Sequence, residues 1–287
     1  MLQVARLAPT LLGESRELVR AFLQRSLNPD GGFQNRNRDS DLYYTVFGLE
    51  ALLAVHAPVP DATRRYLETF GDGADLDFVH LTCLARAWGS VDRTGAPAEV
   101  APRLQTRLEA YRSNDGGYGV SGHAETGSAY ACFLAMGAYQ DLGSDGYDAA
   151  GMLRCLNGVR AADGGYANHA GAAEGSTPAT AAAVMVMRHL DVRPDEAVSR
   201  WLLARCHRDG GFFAAPRAPL PDLLSTATAL HALSALQADT ASVREPCLDF
   251  VDTLWTSTGG FYGSWADQIL DCEYTYYGLL ALGHLSL

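Results

Sequence analysis

Two kinds of helical segment alternate along the chain, and they differ in how hydrophobic residues are spaced. In the first segment, residues 14–27, hydrophobic side chains such as Leu18 and Phe22 recur at the spacing of one helix face. The second segment, residues 41–56, is apolar nearly all round, which is typical of a helix buried on every side. The pattern therefore predicts an outer, half-exposed helix followed by an inner, buried helix.

The same alternation continues along the rest of the chain. The predicted outer helices are 14–27, 61–70, 97–112, 145–160, 195–207 and 241–256, and the predicted inner helices are 41–56, 76–90, 127–141, 177–190, 222–237 and 270–285. Asp222 and Asp271 stand where a helix N-cap belongs, and Pro97 and Pro194 lie near first turns. These start signals support the predicted boundaries.

A pair of glycines followed by an aromatic residue precedes five of the six predicted inner helices. The pairs begin at residues 31, 116, 164, 210 and 259. The first interval is close to twice the others, which predicts a degenerate unit near residues 71–88. A repeat of this length indicates copies of one helical hairpin packed side by side.

Hairpins that curve in one sense can close into a ring. We therefore predict an all-α fold, an α6/α6 toroid of six helical hairpins, as a single domain over residues 1–287. Parallel inner helices would bring their N-termini to one rim, which favours anions such as diphosphate because each N-terminus carries partial positive charge. The interior is expected to be lined by aromatic residues: Tyr43, Tyr44, Phe47, Phe78, Trp88, Tyr130, Phe133, Tyr274 and Tyr277. Such rings either pack as core or surround an apolar cavity.

Composition and charge narrow the choice of partner. Twenty-two Lys and Arg residues against 33 Asp and Glu residues give a net charge of −11, which argues against nucleic acid or an anionic membrane held by bulk charge. Six cysteines are scattered without pair spacing, as in reduced cytosolic proteins. No segment has the length and apolarity of a membrane span or the pattern of a signal peptide. We expect a cytoplasmic protein that binds a small molecule, with no nucleic acid and no transmembrane segment.

The glycine turns ahead of the inner helices resemble the repeats of the prenyltransferase β-subunit and squalene–terpene cyclase superfamily, and the likeness covers nearly the whole chain. This resemblance implies an α/α toroid and an isoprenoid or isoprenyl diphosphate as the bound molecule. The superfamily contains protein prenyltransferase β subunits as well as squalene and terpene cyclases. The reaction therefore stays open at this point.

Three motifs carry the comparison with protein prenyltransferases: GGFQNRNR at residues 31–38, DLYYT at 41–45 and DFVH at 77–80. The resemblance implies that Arg36 and Arg38 bind the diphosphate. It also implies a zinc or magnesium ion at Asp41 and His80. The chain departs from the family pattern at Tyr43, which occupies the position of the cysteine ligand.

A fourth motif, DCEYT at residues 271–275, resembles the Asp-x-Asp-Asp-Thr motif of protonation-initiated cyclases. There the middle acid protonates an alkene or epoxide, so the resemblance implies Glu273 as general acid with Asp271 beside it. A carboxyl facing an apolar cavity has a raised pKa and stays protonated, as a general acid must. In the alternative interpretation, Asp271 caps the helix and Glu273 pairs with Arg36 or Arg38 across the ring closure.

Ring closure would gather these residues at one rim. We predict catalysis by Glu273, Asp271, Asp41 and His80, and substrate binding by Arg36, Arg38, Tyr43, Tyr44, Phe47, Tyr274 and Tyr277. His80 with Asp41 suits either a divalent metal or an acid–base pair. Three functions stay open: an isoprenoid enzyme, either prenyltransferase or cyclase; a non-catalytic isoprenoid or lipid carrier; and a repeat scaffold that binds a protein.

Overall fold

The structure is a computed structural model that describes residues 1–92 and 95–287. Its helices, in chain order, are α1 (Leu2–Ala5), α2 (Pro9–Leu12), α3 (Arg16–Arg25), α4 (Leu42–Ala54), α5 (Asp61–Glu68), α6 (Phe78–Val91), α7 (Ala101–Glu109), α8 (Ala129–Asp141), α9 (Ala149–Gly158), α10 (Thr177–His189), α11 (Glu196–Leu203), α12 (Leu223–Ala235), α13 (Ala241–Leu254) and α14 (Cys272–Leu285). A short 3₁₀ turn spans Gly13–Ser15. Two short strands, β1 (Phe212–Phe213) and β2 (Pro221–Asp222), form an antiparallel ribbon that the sequence pattern did not predict.

The even-numbered helices from α4 to α14 form a closed inner ring. Each packs against the next, and α14 packs against α4. The odd-numbered helices from α3 to α13 lie outside this ring and bury only one face, with residues such as Val19 and Leu202 turned inward. The predicted α/α toroid is confirmed, and its inner and outer helices fall within or near the predicted segments.

Polar caps explain where the inner helices begin. The side chains of Asp41, Asp77, Ser128, Ser176, Asp222 and Asp271 each accept a hydrogen bond from a backbone N–H of the following first turn. These caps satisfy donors that would otherwise lack a partner at a helix start. They also hold the first turns in place around the rim.

Contacts between neighbouring units place these N-termini at one rim. The Tyr130 amide donates to Asn168, which precedes α10, and the Thr177 amide donates to the carbonyl of Ala214, which precedes α12. The Leu223 amide donates in the same way to the loop before α14. The loop ahead of each of these helices is therefore hydrogen-bonded to the start of the previous inner helix.

The glycine turns allow adjacent units to approach closely. Gly259 has a φ of 93°, and a Cβ at this position would lie 2.0 Å from the carbonyl oxygen of Leu18 in α3. Only glycine accepts both this backbone conformation and this contact. The last glycine turn thus packs directly on the first outer helix, where the ring closes.

The unit predicted near residues 71–88 is present although it lacks a glycine pair. Its inner helix is α6, and the turn before it carries Gly71 and Gly73, both with positive φ. Among the described residues, no helix is long and apolar enough to cross a lipid bilayer.

Candidate functional site

A cavity of about 890 Å³ runs through the middle of the ring. Its wall includes Tyr43 and Tyr130 in the first turns of inner helices, and Asp141 and His189 at the last residues of α8 and α10. The 1.5 Å rise per residue between positions 130 and 141 gives a length of about 16 Å. The cavity therefore follows the inner helices from end to end.

The two ends of this cavity differ in chemistry. The end near the helix N-termini, which we call the aromatic half, is lined by Tyr43, Phe47, Val79, Tyr130, Phe133 and Leu224. The opposite end, which we call the polar base, is lined by Glu50, Arg86, Ser90, Gln140, Asp141 and His231. The aromatic half suits a hydrocarbon chain, whereas the polar base offers charges and hydrogen bonds.

Of the aromatic residues predicted to line the interior, five line the cavity, two lie at its rim and two are buried away from it. Tyr43, Phe47, Tyr130, Phe133 and Tyr277 do lie on the cavity wall. Tyr44 and Tyr274 lie at the rim outside that wall, where the Arg36 guanidinium carbon is 5.6 Å from the centre of the Tyr274 ring.

The prediction that Phe78 and Trp88 line the cavity is wrong. Both are almost fully buried between the inner and outer layers. The Phe78 ring packs 5.1 Å from that of Tyr111, and Arg64 of α5 stacks over Trp88. Both side chains project from the outward face of α6, which an all-round apolar helix does not distinguish from the inward face.

Glu273 lies in the first turn of α14, beside Tyr43 in the first turn of α4. The Tyr43 hydroxyl donates a 2.6 Å hydrogen bond to Oε1 of Glu273. Oε2 accepts no hydrogen bond from the described residues. Tyr43 lies on the cavity wall, whereas Glu273 lies beside it at the rim, outside the wall residues, so Tyr43 connects the Glu273 carboxyl to the aromatic half.

The surroundings of Glu273 favour its protonated form. Burial raises the pKa of Glu273 to about 7, and the nearby Asp271 carboxylate adds to this effect. The hydrogen bond from Tyr43 and the charge of Arg36 act in the opposite direction, because both stabilise the carboxylate. Near neutral pH a substantial fraction of Glu273 therefore carries a proton.

Arg36 binds two carboxylates across the ring closure. Its Nε donates to Asp271 at 3.0 Å, and its Nη2 donates to Asp267 at 2.9 Å. Asp271 also caps α14 by accepting from the Tyr274 amide. Burial raises the pKa of Asp271, while the Tyr274 amide and Arg36 oppose that shift. The alternative interpretation is thus right about the cap, whereas Arg36 pairs with Asp271 and Asp267 in place of Glu273.

Arg38 lies apart from this pair. It occupies an exposed, left-handed position with a φ of 70°, and its carbonyl accepts from Asn28. No ion pair joins Arg38 to another described residue. The two predicted diphosphate-binding arginines therefore differ: one is held by carboxylates and the other faces solvent.

Asp41 and His80 meet at the same rim but do not fit a zinc site. His80 Nε2 is 3.7 Å from Asp41, and its Nδ1 is 2.9 Å from Asp77. The Asp41 and Asp77 carboxylates raise the pKa of His80 to about 9, although burial opposes this. With no metal bound, the histidine is therefore a cation held between two carboxylates at neutral pH, and a metal ion would have to displace its proton.

The remaining ligand positions agree with this conclusion. Tyr43, at the position of the family's cysteine, donates to Glu273. Across residues 1–92 and 95–287, no cluster of three or more His, Cys, Asp or Glu side chains is arranged to hold a metal ion. Burial raises the pKa of Asp41, but His80 and the Tyr44 amide outweigh it, so the pKa is lowered. Asp41 and His80 thus form an ion pair at the rim.

The residues of the polar base were not predicted from the sequence. Glu50 in α4 and Arg86 in α6 form an ion pair inside the ring, and Asp141 ends α8. Each stands as a rare charge in an otherwise apolar inner helix. That isolation was the available signal, because a buried charge needs either a partner or a function.

The family model of the prenyltransferase alpha-alpha toroid domain matches residues 8–71, 89–215 and 179–286, which together span most of the chain. A comparison with curated proteins found no significant sequence match.

Among solved structures, a type II terpene cyclase from Scytonema bound to geranylgeranyl dihydroxybenzoate has a TM-score of 0.64 at 14% identity, over 97% of each chain. Protein geranylgeranyltransferase-I from Candida albicans in complex with GGPP has a TM-score of 0.52 at 16% identity, over 99% of this chain and 81% of that one. A D-mannose isomerase has a TM-score of 0.64 at 14% identity, over 97% and 98% of the two chains. At these identities the likeness establishes the fold, and a sugar isomerase with the same fold demonstrates that the fold does not determine the reaction.

Proposed function

The chain belongs to the prenyltransferase alpha-alpha toroid family, and we propose that it cyclises a linear isoprenoid in its central cavity by protonating one of the alkenes. The observation that carries this proposal is the buried Glu273 carboxyl, hydrogen-bonded to Tyr43 at the edge of the aromatic half. A proton donor of this kind must be protonated when the substrate arrives.

The proposed step is an isomerisation that needs no oxidant and no second substrate. With the alkene at the rim beside Tyr43, the proton on Oε2 of Glu273 passes to one of its carbons, and the π electrons form the new C–H bond. The neighbouring carbon becomes a cation, and the next alkene of the chain attacks it to form the ring. The final cation loses a proton to water, which leaves a product with the same atoms as the substrate, and the Glu273 carboxylate takes up a proton from solvent before the next turnover.

Tyr43 and the aromatic half have separate tasks in this step. Tyr43 holds Oε1, so the acidic proton resides on Oε2. The faces of Phe47, Tyr130 and Phe133 offer π electrons to the cation as it moves along the chain. The cavity wall also keeps water from the cation until cyclisation is complete.

A prenyltransferase is the less favoured alternative for this chain. Arg36 is already bound to Asp267 and Asp271, so a diphosphate would have to displace two carboxylates. The donor set at Asp41 and His80 also lacks the features of a metal site described above. An isoprenoid carrier would keep the cavity but would have no use for a protonated carboxyl.

The test is product analysis of purified protein with farnesol, geranylgeraniol and their diphosphates. Glu273→Gln keeps the shape of the side chain but has no acidic proton, so cyclic products should disappear while isoprenoid binding remains. The matched control is Glu125→Gln, the same change at an exposed loop position, which should leave product yield unchanged. Equal yields from wild type and Glu273→Gln would exclude Glu273 as the donor, and no product from wild type with any substrate would favour a carrier.

A further inference from the structure

The polar base contains charged groups that the proposed proton transfer does not use. Glu50, Arg86 and Asp141 line the cavity at the end opposite to Glu273. Charged side chains lose hydration when they are enclosed, so they persist where they are paired or where they act on a ligand. Glu50 and Arg86 satisfy each other, which leaves Asp141 to be explained.

Asp141 has room and hydrogen-bonding capacity on the cavity wall. A Cβ added at Gly89 of α6 would come within 3.2 Å of the Asp141 Oδ1, so the glycine leaves space for this carboxyl. None of the described residues donates a hydrogen bond to it. When ionised, this carboxyl can accept a hydrogen bond from a donor group placed in the adjacent cavity.

The charges around Asp141 discriminate between possible ligand end groups. Arg86 donates from Nε and Nη2 to both oxygens of Glu50, so much of its charge is neutralised. Arg6, which donates to Gln3, and the Met1 amino group, whose pKa is lowered by burial, are further cationic groups on the cavity wall. A diphosphate placed against the unpaired Asp141 carboxylate would bring several negative charges next to it and has no proton to donate to it, so like-charge repulsion disfavours it there. An uncharged hydroxyl meets no such repulsion.

We propose that the polar base binds the uncharged hydroxyl of an isoprenoid alcohol or a prenylated phenol, with the Asp141 carboxyl as its hydrogen-bond partner. The hydrocarbon chain then extends through the aromatic half, and its far alkene lies at Glu273. This inference rests on the proposed function for the direction of the chain. It adds the substrate class, an uncharged hydroxyl compound in place of a diphosphate.

The test measures binding without turnover. The ligands are the fully saturated analogue of geranylgeraniol, its methyl ether and its diphosphate, none of which has an alkene to protonate. Calorimetry is run at about pH 8, where Asp141 is mostly ionised, because burial raises its pKa to about 7 with Arg86 opposing and Glu50 adding to the shift. Under these conditions Asp141 accepts a hydrogen bond from the alcohol, and the ether has none to donate. We expect the alcohol to bind about tenfold tighter than the ether, and tighter than the diphosphate.

Two substitutions at one position separate hydrogen bonding from packing. Asp141→Leu should weaken the alcohol about tenfold and leave the ether unchanged, since only the alcohol loses a partner. Asp141→Asn, whose amide oxygen still accepts, should keep most of the alcohol affinity and also bind the diphosphate more tightly than wild type. Circular dichroism checks that each variant is folded. If Asp141→Leu does not fold, the affinities of Asp141→Asn for the alcohol and the diphosphate decide the test.

Three results would overturn the inference. These are a diphosphate that binds wild type more tightly than the alcohol, an Asp141→Leu variant with unchanged alcohol affinity, and an equal loss for alcohol and ether. Turnover distinguishes this failure from that of the proposed function. If products form and depend on Glu273 but Asp141 has no effect on binding, the cyclase proposal stands and the inference about Asp141 fails. If the alcohol binds through Asp141 but no product forms, the binding site stands and the cyclase proposal fails.

Discussion

Glu50 of α4 and Arg86 of α6 form a two-point ion pair that spans adjacent inner helices on the cavity wall. Arg86 Nε donates to one carboxylate oxygen, and Nη2 donates to the other at 2.8 Å. Glu50 is only 4% exposed. Because Arg86 donates the hydrogen bonds to both oxygens of this enclosed carboxylate, the stability of the region depends on Arg86.

Removing Arg86 alone should destabilise the ring. Arg86→Met leaves the Glu50 carboxylate enclosed without its partner, and we expect the free energy of unfolding to fall by about 3 kcal/mol or more. Urea denaturation followed by circular dichroism measures this change. The double variant Glu50→Leu/Arg86→Met removes both charges and should recover most of the loss. If the double variant is no more stable than Arg86→Met, the pair does not explain the effect.

Gly259 should tolerate no side chain. Gly259→Ala places a Cβ against the Leu18 carbonyl at a φ of 93°, so we expect a loss of about 2 kcal/mol or more. Thermal unfolding measures it. The control is Gly158→Ala at the end of α9, where a Cβ meets nothing within 4 Å and the change should be neutral or slightly stabilising. Equal melting temperatures for the two variants would contradict the close packing at the ring closure.

Cyclisation should slow as the pH rises through about 7, because the carboxyl of Glu273 loses its proton there. The hydrogen bond from Tyr43 stabilises the carboxylate and so lowers the pKa of Glu273. Tyr43→Phe removes that bond, which should raise the pKa and move the alkaline limb of the rate profile to higher pH. The measurement is kcat against pH for both proteins, with Tyr44→Phe as the control. A limb that stays in place or moves to lower pH would argue against Glu273 as the titrating acid.

The fold was predictable because it repeats. Each hairpin carries its own glycine turn, polar cap and change from one-sided to all-round hydrophobicity. A unit with weak signals can therefore be recognised from its position between units with clear ones. The ribbon of Phe212–Phe213 with Pro221–Asp222 extends a pairing that other units also make between the residue after the glycine pair and the helix N-cap, such as Phe33 with Asp41. It occurs within a single loop and depends on backbone pairing that side-chain spacing does not reveal.

The candidate site was only partly predictable. Asp271 and Glu273 stood out by motif, and ring closure placed Arg36 and Asp271 together as expected. Motif comparison does not indicate which group bonds to which, and the Tyr43–Glu273 hydrogen bond was not predicted. The inward and outward faces of α6 were also indistinguishable, because layers on both sides bury it. Asp141 lies at a helix end where no motif marks it.

Closure of the ring also has a consequence for the order in which the protein acquires activity during synthesis. Tyr43 and Glu273 are 230 residues apart in the chain, and Arg36 and Asp271 are 235 apart. Contacts over such separations form late, after the local hairpins. A nascent chain that has not yet made α14 has no Glu273 at all, and one whose ring is still open leaves that carboxyl in water with an ordinary acidity. The burial that raises the pKa of Glu273 therefore arises in the same folding event that encloses the cavity, and under the proposed mechanism reactive cations would form only where the wall around them is complete.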